Sequence, residues 1–327
     1  MAFQILALSG GGYRGLFTID VLARLEQEAG KPLHQCFDMI AGTSIGGIVA
    51  IGLAMGKSAE SIRDEFLKHG EDIFPRKYWF KSPYYFLKML WGPKYSAAPL
   101  RAVIENVVGK NTKLGQAKTR LLVPAVNMTK SQVQMFKTPH HPNLKVDQHR
   151  LAVDIALATS AAPTFFPMAK FDDSLFIDGG IVANAPDLCA IHEAVEYCGV
   201  EHRDIRLLSV GTTTKKFSLP NSIGVNLGRI GWIRKDRLPS TLISAQQQLV
   251  DFMLKHQLTD RYLRIDALPS EDQTSDLGLD VADTKRRSTL QGLASGAYQE
   301  FISNKTLQDM LNHEAPRYEN RTTLSTA

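Results

Sequence analysis

Apolar residues in the first part of the chain form short continuous runs and helically spaced groups in turn. The largely apolar run from Phe3 to Ser9 predicts a buried strand. A helix is expected next, because apolar residues then recur at helical spacing: Leu16, Ile19, Leu22, Ala23 and Leu25. Gly30 and Pro32 predict its end. Met39 to Gly42 predicts a second short strand, and a buried helix is expected from about Ile45 to Met55.

The alternation of strands and helices continues to about residue 210. Ser58 and Ser96 are each predicted to cap a helix, the second of which ends at Gly109. Further strands are predicted at residues 121–126, 132–136, 175–177 and 205–210, and further helices at 153–159 and from Asp187. This order is typical of a three-layer α/β fold with a mainly parallel central sheet. No repeat or linker is recognisable, so we expect one domain over residues 1–327, with residues 216–327 packed on the rest.

Composition and charge are those of an ordinary globular protein. Of 327 residues, 44% are hydrophobic and 22% are charged, the net charge is +5 and the isoelectric point is about 9.0. This mild basicity permits an anionic surface or ligand as partner without requiring one. The three cysteines, Cys36, Cys189 and Cys198, lack metal-binding or redox spacing, and we expect reduced thiols in a cytosolic protein.

Neither a targeting signal nor a membrane span is expected. The apolar run from Ile5 to Leu8 has no basic stretch before it and ends at glycines. Met39 to Gly56 is uncharged and about as long as the shortest membrane-spanning helix. Its glycines and the pair Thr43-Ser44 favour a strand, a turn and a buried helix instead.

The pattern G-x-S-x-G lies at the turn between the second strand and its helix, as Gly42-Thr43-Ser44-Ile45-Gly46. A serine at such a turn is held in a strained backbone conformation with its hydroxyl exposed. Gly42 and Gly46 leave room for the neighbouring strand and helix. The free N–H groups of the helix N-terminus favour developing negative charge. Ser44 is therefore a candidate nucleophile, although the pattern alone also occurs in ordinary turns.

A glycine-rich loop, Gly10-Gly11-Gly12-Tyr13-Arg14-Gly15, follows the first strand and opens a helix, which is an anion-binding arrangement. Gly10, Gly12 and Gly15 also satisfy the dinucleotide-binding pattern G-x-G-x-x-G. That pattern requires an acidic residue at the end of the second strand. Asp38 has about the right separation but precedes the strand, so an NAD-binding oxidoreductase is a weak alternative.

Aromatic and basic residues are interleaved, without any acid, from Phe74 to Tyr95. Such a composition suits a membrane interface and also suits single-stranded nucleic acid. A third interpretation is a cap whose aromatic rings pack on the core while the lysines remain solvated. We expect this segment to border the active-site mouth, and we expect no nucleic-acid polymer as partner.

A serine nucleophile needs a base, which is usually histidine. None of the nine histidines follows a strand in a turn that would present it. Asp178 is better placed, because it ends a predicted strand, and Gly179 and Gly180 after it allow a tight turn. An aspartate in water is a weak base with a pKa of about 3.9, but desolvation would strengthen it. Taken alone, Asp-Gly-Gly is also common in surface turns.

Together, the glycine loop, Gly42-x-Ser44-x-Gly46 and Asp178-Gly179-Gly180 resemble the patatin-like phospholipase family in order and content. The block Ala158 to Pro167 resembles that family's helix-to-loop segment, so the resemblance covers about residues 3 to 215. It implies a Ser–Asp dyad of Ser44 and Asp178, an oxyanion hole at Gly10, Gly11 and Gly12 with Arg14 nearby, and no metal or other required cofactor. Ser9 departs from plant patatins, which commonly carry Asp there.

The resemblance is nearest to bacterial patatin-like effectors of antiphage signalling. It implies activation by a cyclic dinucleotide and degradation of membrane phospholipids at the inner face of the cell membrane. Residues after about Thr212 would then help to sense the ligand, with Arg229, Arg234 and Arg237 as candidates, although a solvated surface also explains them. We also expect a homodimer or larger assembly. Constitutive esterase or lysophospholipase activity, and an inactive binding module, are the other interpretations.

Overall fold

The computed structural model describes residues 2–75, 92–213, 217–228, 231–232, 237–274 and 277–320. These residues contain eight strands: β1 (Phe3–Leu8), β2 (Met39–Gly42), β3 (Arg120–Asn127), β4 (Gln132–Lys137), β5 (Ala169–Phe171), β6 (Ser174–Asp178), β7 (Ile205–Val210) and β8 (Tyr262–Ile265). They also contain eleven α-helices: α1 (Gly15–Ala29), α2 (Ile45–Ala54), α3 (Ala59–Ile73), α4 (Ala97–Val108), α5 (Ala152–Ser160), α6 (Gly180–Ala183), α7 (Asp187–Cys198), α8 (Arg237–Gln257), α9 (Glu271–Thr274), α10 (Thr284–Phe301) and α11 (Lys305–Asn312).

All eight strands form one mixed sheet, in the order β5-β6-β3-β2-β1-β7-β8, with β4 also paired to β3. The pairings among β1, β2, β3, β7 and β8 are parallel, whereas β3–β4, β3–β6 and β5–β6 are antiparallel. The expectation of a mainly parallel sheet is confirmed for its centre.

Helices cover both faces of the sheet, because successive residues of a buried strand point to opposite sides. Leu6 and Leu8 of β1 join the larger apolar cluster, into which α1 to α5, α10 and α11 also pack. Ile5 and Ala7 join a second cluster with α7 and α8. The predicted three-layer α/β architecture is therefore present in the described residues.

Two strands of opposite direction meet end to end along one edge of β3. β2 pairs with Arg120–Leu122 of β3, and β6 pairs with Ala125–Asn127. The other edge of β3 is occupied by β4 from Leu122 to Asn127, so β2 and β6 must share an edge. Because β2 runs parallel and β6 antiparallel to β3, their carboxyl ends face each other near Pro124. Residues just beyond these two ends are thereby brought together.

Candidate active site

Ser44 lies at the sharp turn between β2 and α2. Its backbone has φ 56° and ψ −125°. Residues other than glycine adopt such a positive φ only at an energetic cost. The Ser44 N–H donates to Thr159 Oγ1 at 3.0 Å, and that hydroxyl donates to the Pro124 carbonyl oxygen at 2.6 Å. A Cβ on Gly46 would lie 2.4 Å from the Leu8 carbonyl oxygen, so only glycine lets the strand approach this closely. The turn has the geometry predicted for a nucleophile elbow.

Asp178 is the last residue of β6 and faces Ser44 across the junction of the two strands. The Ser44 hydroxyl donates to Asp178 Oδ2 at 2.7 Å. The other carboxylate oxygen, Oδ1, accepts from the Gly180 N–H at 2.7 Å. A Cβ on Gly179 would lie 2.3 Å from the Pro124 carbonyl oxygen, which explains the glycine after the aspartate. The two side chains singled out by sequence are therefore in direct contact.

Burial changes the acidity of Asp178. Removal of the carboxylate from water raises the pKa of Asp178 from 3.8 to about 6, while the hydrogen bonds from Ser44 and Gly180 act in the opposite direction. At neutral pH the carboxylate is still ionised, but it is a much better proton acceptor than an aspartate in water.

The glycine loop lies beside Ser44 at the end of β1. Gly12 has φ 59°, and a Cβ there would lie 2.2 Å from the Leu279 carbonyl oxygen. That oxygen also accepts the Tyr13 N–H at 2.8 Å. In the described part of the chain, the N–H groups of Gly11 and Gly12 have no hydrogen-bond acceptor, and both residues line the same cavity as Ser44. These two groups are positioned to bind an oxyanion.

Fewer hydrogen-bond donors face the candidate oxyanion hole than the sequence suggested. The Gly10 N–H donates to the Asn184 carbonyl oxygen at 2.9 Å and is therefore not available to a substrate. The Arg14 guanidinium is turned away, because its Nη1 lies 3.5 Å from the Thr213 carbonyl oxygen and Arg14 does not line the cavity. Burial lowers the pKa of Arg14 to about 10, partly offset by Asp266. Gly10 and Arg14, which the resemblance placed at or near the oxyanion hole, thus present no donor to the cavity.

A cavity of about 280 Å³ extends from Ser44 and Asp178. Its lining is mostly apolar and comes from both ends of the chain. It includes Ile45, Ile48, Phe66, Leu100, Phe166 and Leu242. An elongated hydrocarbon chain fits such a lining, because apolar surface gains free energy when it leaves water.

The aromatic-basic segment is described only at its ends, and residues 76–91, with Trp79 and Phe80, lie outside the described residues. The rings of Phe74 and Tyr95 pack edge to face at 5.4 Å, and Phe166 lies 5.9 Å from each. Phe74 and Phe166 also line the cavity. The two ends of the segment therefore adjoin the candidate site, whereas the expected position of residues 76–91 stays a prediction.

The other predicted residues are placed as follows. Arg229 and Arg234 lie outside the described residues. Arg237 begins α8, where its Nη1 donates to the Gly231 carbonyl oxygen at 2.9 Å. Asp38 lies before β2, at the opposite end of the sheet from the glycine loop, and its Oδ2 accepts the Gln4 N–H at 2.8 Å. A dinucleotide site would need an acid at the other end of β2, so the structure does not favour the oxidoreductase interpretation.

Three contributors to the site were missed at the sequence level. The Thr159 hydroxyl accepts the Ser44 N–H, the Leu279 carbonyl accepts the Tyr13 N–H of the glycine loop, and the Asn184 carbonyl accepts the Gly10 N–H. Leu279 acts through its backbone carbonyl, which carries no side-chain signal in sequence. Asn184 acts through its carbonyl and also through its side chain, whose Nδ2 donates to the Gly10 carbonyl oxygen at 3.2 Å. Thr159 lies in the block that resembles the family, so only that resemblance pointed to it. No group of three or more His, Cys, Asp or Glu residues suited to a metal ion is present in the described ranges.

Comparison with known proteins decides the family. The family model described as patatin-like phospholipase matches residues 6–188, more than half of the chain. The chain belongs to the patatin-like phospholipase family. It is accordingly a lipid acyl hydrolase, as its sequence predicted. In the described residues, none of the helices of this patatin-like phospholipase combines the length and hydropathy needed to span a bilayer.

Three relatives match this patatin-like phospholipase over nearly their whole length, and each is named cGAMP-activated phospholipase. The protein of Pseudomonas aeruginosa is 37% identical over 96% of this chain and 93% of its own length. That of Vibrio cholerae is 38% identical over 96% of each chain. That of Escherichia coli is 37% identical over 94% of this chain and 92% of its own.

Proposed function

We propose that this patatin-like phospholipase cleaves acyl esters of membrane phospholipids with Ser44 as nucleophile and Asp178 as general base. The observation that carries the proposal is the 2.7 Å hydrogen bond from the Ser44 hydroxyl to Asp178 at the end of an apolar cavity. A nucleophile in contact with its base, beside unoccupied N–H donors, is the arrangement that acyl transfer requires.

The reaction proceeds through an acyl-enzyme. Ser44 Oγ attacks the ester carbonyl carbon while its proton passes to Asp178 Oδ2, and the negative charge on the carbonyl oxygen is held by the N–H groups of Gly11 and Gly12. Collapse of this intermediate breaks the ester bond, and Asp178 returns the proton to the departing lysophospholipid alcohol. Water then attacks the acyl-enzyme, with Asp178 again accepting a proton, and free fatty acid leaves as Ser44 recovers its proton.

An aspartate can serve here without histidine for two reasons. The raised pKa of Asp178, about 6, makes the carboxylate a useful base and its conjugate acid able to protonate the leaving alcohol. Preorganised donors also stabilise the oxyanion, and each is worth about 3 kcal/mol in comparable sites. The apolar cavity holds the acyl chain of the substrate.

We further propose that a cyclic dinucleotide activates the enzyme at the inner face of the cell membrane, as an effector of antiphage defence. The name shared by the three relatives supports activation by cGAMP. The ligand-binding role of Arg229, Arg234 and Arg237, the regulatory role of residues 216–327 and the homodimer remain part of this proposal.

Substitution of the two central side chains tests the chemistry. Ser44→Ala and Asp178→Asn are each expected to lower the rate of phospholipid hydrolysis at least 1,000-fold, about 4 kcal/mol of barrier, and the double variant is expected to be no slower. Fatty-acid release from vesicles in the presence of cGAMP is the measurement. Asp38→Asn, an acid far from the cavity, is the matched control. Near-normal hydrolysis by either variant would exclude that residue from the mechanism.

A further inference from the structure

Leu254 of helix α8 is buried and Ile243, Val250 and Met253 are partly buried, but the helix turns its other large apolar side chains outward. Four of them are between 44% and 63% exposed: Leu238, Leu242, Leu249 and Phe252. The residues that α8 buries against the rest of the protein are Ser244, Gln247 and Leu254, of which two are polar. A helix whose outer face met only water would show the opposite distribution. The outward apolar side of α8 therefore requires an explanation.

These four side chains form one continuous stripe, which we call the α8 stripe. The intervals between them are four, seven and three residues, which return to the same side of a helix at each step. The helix has 21 residues and is thus about 30 Å long. Asp251 is the one charged residue between Leu238 and Phe252 in the sequence. The stripe is accordingly a long, mostly uncharged surface.

One end of the α8 stripe enters the catalytic cavity. Leu238 and Leu242 line the cavity that contains Ser44 and Asp178 although each is nearly half exposed. Ile181 of α6 also lines it and is 44% exposed. Exposed apolar side chains of α8 and α6 are therefore also part of the lining of the cavity that contains the nucleophile.

Hydrogen bonds fix the stripe relative to the catalytic loops. The side-chain amide of Gln246 accepts the Asn184 N–H at 3.1 Å and donates to the Ile181 carbonyl oxygen at 2.8 Å. Asn184 in turn accepts the Gly10 N–H. Helix α8 thus holds α6, which directly follows Asp178, and is connected through Asn184 to the glycine loop.

We infer that the α8 stripe, with Ile181, is the surface by which the enzyme lies on a phospholipid bilayer. This inference rests on the proposed lipid substrate and adds the location and orientation of docking. A helix with one apolar side lies flat in a membrane interface with that side in the acyl region. The cavity mouth is then pressed against the bilayer, and an acyl chain passes from lipid to Ser44 along apolar surface. The alternative occupant, a second copy of the chain bound to this face, would cover the cavity mouth.

Vesicle flotation tests the inference without catalysis. The parent is Ser44→Ala, which leaves the vesicles intact, and the test variant adds Leu249→Ser and Phe252→Ser, two stripe residues that do not line the cavity. Vesicles contain phosphatidylethanolamine and phosphatidylglycerol, and flotation is measured with and without cGAMP. The parent is expected to float in at least one condition, and the test variant is expected to bind at least tenfold more weakly there.

Two controls separate docking from general loss of apolar surface. Met128→Ser with Val146→Ser removes residues of similar exposure, 49% and 66%, from loops and is expected to float like the parent. Leu249→Met with Phe252→Leu keeps the stripe apolar and is also expected to float. With Ser44 restored, the serine variant should hydrolyse a short soluble ester normally but vesicles slowly.

Several outcomes would overturn the inference. One is undiminished flotation of the serine variant, and another is no flotation of the parent in either condition. A third is that the serine variant floats as well as the parent but changes from dimer to monomer mass, which would assign the stripe to contact with a second copy of the chain. Stripe-dependent flotation by an enzyme that hydrolyses no ester would support docking and count only against the proposed function.

Discussion

The proposed reactivity of Ser44 depends on its backbone geometry, and that of Asp178 depends on its burial. Ser44 is held at φ 56° by the turn, with its N–H bound to Thr159, so its hydroxyl projects toward the cavity. Asp178 is buried, which destabilises its charge and makes it a stronger base. No histidine in the described residues forms a hydrogen bond with either side chain. In the proposed mechanism, proton transfer therefore falls to the carboxylate alone.

The raised pKa of Asp178 predicts an acid limb in the rate profile. Above pH 6 the carboxylate is ionised and can accept the Ser44 proton, whereas below pH 6 it is protonated and the base is lost. We expect kcat/KM for a short soluble ester to fall about tenfold per pH unit below an apparent pKa near 6. An aspartate with an ordinary pKa would retain full activity down to about pH 5.

Unfolding at low pH would also lower the rate, so a control measurement must distinguish it from titration of Asp178. The melting temperature of the same enzyme is followed over the same pH range, and it must stay well above the assay temperature. An activity that stays level from pH 7 to pH 4.5 would show that Asp178 does not titrate near 6, or that it is not the base.

The two side chains of the proposed dyad could be predicted from sequence, whereas the residues that hold the turn and the glycine loop in place could not. Ser44 and Asp178 could be predicted because a hydroxyl and a carboxylate are visible in the amino-acid code. Leu279 and Asn184 hold the glycine loop by carbonyl oxygens that every residue carries, and Asn184 adds a side-chain hydrogen bond from Nδ2 to the Gly10 carbonyl oxygen. Gly10 was assigned to the oxyanion hole because the sequence does not reveal that Asn184 already accepts its N–H.

At the scale of elements, hydrophobic spacing located the early strands and helices closely. Ser96 caps α4 and Gly109 ends it, as predicted, because both effects are local. The antiparallel direction of β6 could not be predicted, because it depends on which edge of β3 remains free. No prediction covered α8, whose four stripe residues face outward, whereas spacing rules assume that the apolar side of a helix faces the core.

One loop before α10 connects the aromatic-basic segment to the oxyanion donors. Asp280 accepts from the Lys94 ammonium and, at 2.8 Å, from the Tyr95 hydroxyl. The neighbouring residue, Leu279, holds the Tyr13 N–H. Burial and the nearby Asp280 raise the pKa of the Tyr95 phenol, so it remains a proton donor. Asp280 is therefore expected to position the glycine loop indirectly.

Loss of this anchor should affect the transition state more than substrate binding. Asp280→Asn is expected to lower kcat for a short soluble ester about three- to tenfold with KM little changed, because the Gly11 and Gly12 donors act chiefly on the oxyanion. Glu300→Gln, the same change of charge on the exposed side of α10, is the control. A rise in KM at constant kcat would mean that Asp280 shapes the cavity and does not position the loop.

At the scale of the whole molecule, the C-terminal third adjoins the catalytic parts at several points. Helix α8 contributes Leu238 and Leu242 to the cavity, and Leu279 contacts Gly12. Arg287 of α10 donates to the Tyr13 hydroxyl at 3.1 Å and pairs with Glu71. A ligand bound to this third of the chain could therefore change the glycine loop and the cavity mouth together.

Under the proposed activation the enzyme has an inactive resting state, and cGAMP shifts the balance between the two states only by binding the active state more tightly. A change from about 1% to 99% active requires roughly a 10⁴-fold preference, near 5.5 kcal/mol. Arginines can contribute to this preference for the active state through charge-assisted hydrogen bonds to the phosphates of the ligand. We therefore expect vesicle hydrolysis to be about 100-fold slower without cGAMP, and the mass in solution to rise as activity appears.

Arg237 provides the sharpest test of this gating, because it is the one candidate ligand-binding arginine within the described residues. Arg237→Ala is expected to raise the cGAMP concentration for half-maximal activity about tenfold while the rate at saturating cGAMP is preserved, since the ligand would lose one charge-assisted contact. Arg203→Ala removes an equally charged but 78% exposed side chain and is the control. Hydrolysis is measured against ligand concentration for a panel of cyclic dinucleotides. Full activity without ligand, unchanged by every member of the panel, would refute gating and leave the Ser44–Asp178 chemistry intact.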